Sequence, residues 1–198
     1  MDLLKNIKIG YAISGSFCTF KSIIEPIKKL IEEGAEVFPI MSEHASTIDT
    51  RFGQAKEFVS LLEKLTGNSV QTKIEETELI GPDNPYDALI VAPCTGNTFA
   101  KLANAITDTS VLMAIKATLR NNIPVILGIA SNDALGLNMK NLGILMNTPN
   151  IYFVPFGQDN FKTKKNSLVA RMDLIFDTLM SALNGKQIQP ILITYKKE

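Results

Sequence analysis

"YDALIVAPCTGNTFAKLANAITD", residues 86–108, holds the key to the fold. Its first part, "DALIVA" (87–92), is almost wholly apolar, as expected of a strand covered on both faces. Pro93 then ends the run, and Thr95, Gly96, Asn97 and Thr98 lead into a helical pattern over 97–106. Hydroxyls, an amide and free backbone N–H groups at the carboxyl end of a buried strand are the equipment of a ligand loop.

Working outward, the same alternation recurs. "IKIGYAI" (7–13) reads as a first strand, followed by "SGSF" and a helical stripe of Ile23, Ile24, Ile27, Leu30 and Ile31 that Gly34 stops. Pro26 inside the stripe predicts a kink. "EVFPIM" (36–41) is a second strand, and its Pro39 predicts an edge or a bulge. Ala55, Phe58, Val59, Leu62 and Leu65 mark a helix ended by Gly67. The stretch "NSVQTKIEETELIGPDNP" has room for a short strand, and "GPDNP" is turn chemistry.

Beyond the opening segment, a helix is predicted over 109–121, a fourth strand in "PVILGIA" (124–130) and a short fifth in "YFVPF" (152–156). Leu168, Val169, Met172, Ile175, Phe176, Leu179, Met180 and Leu183 read as one amphipathic helix. No repeat or linker interrupts the series. The expectation is one α/β unit spanning 1–198, with 185–198 as a C-terminal extension. Its doubly wound, mainly parallel sheet carries helices on both faces.

Composition narrows the function. Lys+Arg and Asp+Glu are both 20, so no excess of either sign points to nucleic acid or a membrane surface. The two cysteines, Cys18 and Cys94, make neither a disulfide framework nor a zinc site, and the one histidine, His44, excludes a His-rich metal centre. No metal is expected. The N-terminus lacks a signal-peptide pattern and no apolar run is long enough to span a membrane, so a reduced, cytoplasmic protein is expected.

Doubly wound sheets bind ligands beyond the carboxyl ends of their strands. Four loops lie there. The first offers Gly15, Ser16 and Phe17, the second Ser42, the third Pro93, Thr95, Gly96, Asn97 and Thr98, and the fourth Ser131, Asn132 and Asn138. Taken singly, each is also a common turn or cap residue. Together they predict a phosphorylated mononucleotide. "GYAISGSF" is neither a phosphate loop nor a dinucleotide fingerprint, since it lacks both the Lys-Ser/Thr pair and G-x-G-x-x-G. Lys162, Lys164 and Lys165 in "FKTKKNS" (161–167) read either as a solvated loop or as a basic lid for an acidic substrate. No catalytic residue is identified.

"APCTGNTFAKLANAITD" resembles the A-P-x-S-A-N-T-x-A-K-x-A-x-G-x-x-D signature of the flavoproteins related to homo-oligomeric flavin-containing cysteine decarboxylases. "GYAISGSFCTFKSI" resembles that family's first strand and G-S turn, and the likeness runs over about residues 5 to 180. It implies a Rossmann-like, flavodoxin-like fold with FMN at the sheet edge of a trimeric unit. Gly15, Ser16 and Ser42 would meet the phosphate, Pro93, Thr95, Gly96, Asn97 and Thr98 the flavin and substrate, and Ser131 the ribityl chain or phosphate.

Within the family, the chain looks like one component of a two-subunit oxidoreductase of spore-forming bacteria that aromatises a dihydropyridine dicarboxylate. The other component would bring NADP. The small dicarboxylate substrate would meet Asn132, Asn138, Lys162 and Lys164. The family's decarboxylases carry a histidine before the third strand and a P-x-M-N motif after the fourth. Here those regions read "IEETELIGPDNPYD" and "ASNDALGLNMKN", and neither feature is present. This argues against the first of two alternatives, an FMN-dependent decarboxylase. The second is a non-catalytic module supporting a nicotinamide-binding partner.

Overall fold

The computed structural model describes residues 2–83 and 85–193. Four strands form the parallel centre: β1 (Lys8–Ile13), β2 (Glu36–Met41), β3 (Ala88–Thr95) and β4 (Val125–Ser131). They stand in the order β2-β1-β3-β4, so the chain direction across the sheet reverses between β1 and β3. β5 (Ile151–Phe153) adds to β4 in parallel, and the antiparallel hairpin of β6 (Phe156–Asn160) and β7 (Lys164–Ala170) completes a seven-stranded sheet.

Helices cover both faces. α1 (Phe20–Glu32) packs with α9 (Ile175–Ala182), while α7 (Ser110–Arg120) lies over β1 to β4 under the short α4 (Ile74–Glu78) and α5 (Ile80–Asp83). α2 (Glu43–Thr47) and α3 (Ala55–Thr66) flank β2, and α6 (Gly96–Ala103) packs against α8 (Met139–Met146) at the carboxyl ends of β3 and β4. This is the flavodoxin-like, mainly parallel arrangement.

The burial pattern explains the central strands. All residues of β3 but Thr95 are buried, and so are all residues of β4 but Ser131. Pro39 sits in β2 at the sheet edge, where its missing N–H costs no ladder bond to an outer neighbour. α1 runs unbroken across the buried Pro26. Gly34 and Gly67 follow helices with φ of +93° and +73°, conformations in which a side chain is strained.

Four expectations are corrected. β3 does not end before Pro93. Its register against β4 shifts between Val91 and Cys94, and the strand resumes to Thr95, with the proline at the irregularity where no N–H is needed. The stretch before it forms α4 and α5, and its only strand-like feature among the described residues is a bridge from Gln71 to Ile40. "YFVPF" divides at Pro155 between β5 and β6. Leu168 and Val169 belong to β7, where they pair with Ser131 and Ala130. A short turn, Met172–Leu174, separates them from α9.

The "FKTKKNS" segment is thus the turn and second strand of the hairpin, not a free loop. Residues 191–193 of the proposed extension pair with Phe156, and residues 194–198 lie outside the described residues, as does Asn84 of "GPDNP".

Candidate functional site

The carboxyl ends of β1 and β3 are tied together by one buried serine. Ser14, only 2% exposed, donates from Oγ to the Pro93 carbonyl at 2.9 Å and accepts from the Thr95 N–H at 2.9 Å. Its own N–H reaches Pro93 O at 3.1 Å. The turn after β1 is therefore locked to the loop after β3. Nothing in the sequence marks Ser14 as different from Ser16. Its role follows from pairing of β1 with β3, which sequence pattern does not reveal.

A cavity of about 850 Å³ opens above this junction. That is within the range of sites for small ligands and cofactors. Gly15, Ser16, Thr95, Gly96, Asn97, Ser131, Asn132, Asn138 and Lys164 all line it. Nine sequence-predicted positions from three strand ends and the hairpin are thus brought together.

Five others are not. Ser42 caps α2, accepting from the Ala45 N–H at 3.4 Å. Pro93 lies within β3, its carbonyl taken by Ser14. Thr98 is buried beneath Thr95, sharing a 2.9 Å hydroxyl contact with it. Phe17 turns to a separate apolar hollow of about 200 Å³ with Phe20, Phe52 and Phe58. Lys162 stands at the hairpin turn outside the cavity lining.

Each loop has a local reason for its shape. Thr95 is the N-cap of α6, its Oγ1 accepting from the Thr98 N–H at 3.2 Å. Gly96 follows because a Cβ there would stand 2.5 Å from Ser131 Oγ and 3.0 Å from Asp133 Oδ1. Glycine lets the β3 and β4 loops approach this closely without displacing the Ser131 hydroxyl. At Gly15 a Cβ would meet just the Phe17 ring, at 3.6 Å, so space above the turn is open. Asn97 is exposed and makes no cap.

Asp133 lines the cavity and was not singled out by the sequence. Ser131 Oγ donates to its Oδ1 at 2.8 Å, and Asn138 Nδ2 reaches Oδ1 at 2.9 Å and Oδ2 at 3.1 Å. Asn141 Nδ2 donates to Asn138 Oδ1 at 2.7 Å, and Asn104 Nδ2 donates to Asn141 Oδ1 at 3.2 Å. On the hairpin, Lys164 donates to Asp159 at 2.5 Å, a pairing that raises the lysine pKa.

Cys94 is fully buried in β3, and burial pushes its thiol up to about 12, so it is no nucleophile at neutral pH. Cys18 is exposed at the cavity lining. His44 lies on α2, away from that lining. Among the described residues no group of three His, Cys, Asp or Glu is placed to hold a metal ion, and no helix is long and apolar enough to cross a membrane.

Residues 2–180 match the family model described as Flavoprotein. The chain is 50% identical over 193 residues to the B subunit of dipicolinate synthase of Bacillus subtilis (strain 168), covering 98% of this chain and 96% of that protein. The crystal structure of the B subunit of dipicolinate synthase from Bacillus halodurans C superposes with a TM-score of 0.89 at 44% identity, covering 96% of this chain and 98% of that one. An FMN-dependent cysteine decarboxylase shares the fold, with a TM-score of 0.65 at 18% identity over 92% of this chain and 98% of that one.

Proposed function

The chain belongs to the Flavoprotein family, and on that footing we propose that it holds FMN in the 850 Å³ cavity and serves as the B subunit of a dipicolinate synthase. Its task is to help oxidise dihydrodipicolinate to dipicolinate, pyridine-2,6-dicarboxylate, in the mother cell of a sporulating bacterium. The observation that carries the reading is one mononucleotide-sized cavity at the β1/β3 switch, in a chain half identical to such a protein over nearly its full length.

The donor set fits FMN. Gly15 leaves open space over the turn, and Ser16 offers a hydroxyl to the phosphate there. Thr95, Asn97 and Ser131 present hydroxyls and an amide that suit the ribityl chain and the edge of a heterocycle. Gly96 keeps the loops close enough to wall the cavity. When bound, FMN can take up a hydride or pass on electrons one at a time. Ser42, Thr98 and Pro93 support this set from behind: they fix α2, α6 and the β1–β3 junction.

Asn132, Asn138 and Lys164 also line the cavity and are the residues proposed to meet the substrate. Asp133 and Asp159 outnumber the single cation, Lys164, in the cavity lining. A dicarboxylate therefore needs further positive charge. The A subunit of dipicolinate synthase is the proposed source of that charge and of NADP, because no glycine fingerprint for a dinucleotide occurs in this chain. A trimeric unit of this chain is proposed as the assembly that presents the cavity.

The experiment is a flavin titration followed by mixing with the A subunit. Stoichiometric flavin absorption, NADP-dependent dipicolinate formation only by the mixture, and co-elution on gel filtration are expected. Absence of flavin binding at micromolar concentration would sink the FMN reading. Turnover with NADP by this chain alone would overturn the division of labour.

A further inference from the structure

We propose that Asp133 is the proton acceptor in the oxidation assigned above, an inference that rests on that reading of the cavity. Aromatising a dihydropyridine removes one hydride and one proton. One C–H bond breaks with its electron pair leaving as hydride to a two-electron acceptor of the flavin or nicotinamide class. A second C–H bond breaks with its pair staying behind as the new ring π bond, and its proton goes to a base.

Among the described residues, the ionisable side chains of the cavity lining are Cys18, Asp133, Asp159 and Lys164. Lys164 is a cation, and its pairing with Asp159 holds its proton more firmly. Asp159 is the other half of that pair, so taking a proton would forfeit the ion pair. Cys18 has the Ser16 hydroxyl at 3.9 Å as its hydrogen-bond partner and the Lys164 charge nearby, but no carboxylate or imidazole is bonded to it to take its own proton.

Asp133 differs in the kind of partner it has. Its bonded neighbours, Ser131 and Asn138, are neutral. They orient the carboxylate without placing a cation on it, so no ion pair has to break when it takes a proton. Oδ1 receives both short bonds, at 2.8 and 2.9 Å, and Oδ2 has one longer contact of 3.1 Å. Oδ2 is therefore the oxygen with acceptor capacity to spare.

The amide chain behind it fixes which way Asn138 faces. Asn138 Oδ1 is occupied by the Asn141 amide, and Asn141 Oδ1 by the Asn104 amide, whose nitrogen also bonds the Ala100 carbonyl at 2.7 Å. Asn138 must then turn its NH₂ to Asp133. Gly96 admits this group against the β3 loop, where a Cβ would displace the Ser131 hydroxyl and press on Asp133. Helix α6, the β4 loop and helix α8 thus combine to hold one carboxylate in a cavity wall.

The test follows proton transfer apart from oxidation. The full chain mixed with the A subunit, free of flavin and nicotinamide, is incubated with dihydrodipicolinate in D₂O, and deuterium entry into the ring is read by mass spectrometry. Wild type should exchange well above buffer, and Asp133→Asn should exchange about 10²–10⁴-fold more slowly. Asp133→Glu, which keeps a carboxylate, should recover a measurable part. Flavin titration of each variant runs alongside. Exchange by wild type no faster than buffer, or undiminished in Asp133→Asn, overturns the proposal. Exchange that depends on Asp133 in a chain that takes up no flavin supports the proton acceptor and sinks the FMN reading instead.

Discussion

At the scale of single residues, the junction separates side chains that hold the loops from side chains that face the cavity. Ser14 belongs to the first kind. Removing its hydroxyl leaves the Thr95 N–H without its acceptor, and the Pro93 carbonyl keeps just the Ser14 N–H. Ser14→Ala should destabilise by about 1–3 kcal/mol, the cost of a buried donor left unpaired, as read from urea unfolding. Asn97 belongs to the second kind. It is exposed and caps nothing, so Asn97→Ala should change stability by no more than about 0.5 kcal/mol. The same variant should bind flavin at least about tenfold more weakly, the loss of one or two hydrogen bonds to a ligand. A folded Asn97→Ala chain with unchanged flavin affinity would remove Asn97 from the cavity's binding set.

Among the elements, those buried on both sides were readable and those shaped by pairing were not. β1, β3 and β4 announce themselves as apolar runs because helices cover both their faces. Likewise Gly34 and Gly67 mark helix ends, because both adopt positive φ. β7 escaped. Leu168, Val169 and Met172 fall in step with the stripe of α9, yet Leu168 and Val169 pair across β6 and β4. Apolar spacing alone cannot separate a strand leading into a helix from a longer helix. The candidate site shows the same division. Thr95 to Asn97 stood out by residue type, whereas Asp133 gained its place only when Gly96 brought the β3 loop onto it. The hairpin now yields a prediction of its own. Lys164 and Asp159 pair on an exposed ribbon, and such pairs contribute little to stability. Lys164→Gln should therefore leave the melting temperature unchanged. Dipicolinate binding, measured by calorimetry, should weaken and lose part of its salt dependence. Equal affinity in both proteins would take Lys164 off the substrate side.

Across the whole molecule, the sheet that carries the cavity also stores protons that unfolding releases in alkali. Cys94 in β3 ionises at its usual value of 9.0 when unfolded, but burial holds the thiol up to about 12 in the fold. Tyr86 is pushed from 10.0 to about 12 by burial, and Tyr11, fully buried in β1, is raised further. For all three, the folded chain keeps a proton that the unfolded chain has lost. Stability is therefore flat with respect to these groups below pH 9.0 and falls as pH rises from there towards about 12. Each fully engaged group contributes a slope of about 1.4 kcal/mol per pH unit. Between 9.0 and 10.0 the thiol titrates ahead of the tyrosines, so its limb can be isolated. Urea unfolding followed by circular dichroism at intervals from about pH 7 to 11 should show stability turning downward near pH 9 and more steeply above 10. Cys94→Ala lowers stability at every pH through the small void it leaves, but it should flatten the first limb and keep the second. Parallel curves for wild type and Cys94→Ala between about pH 9 and 10 would show that the thiol is not held protonated by the β3 core.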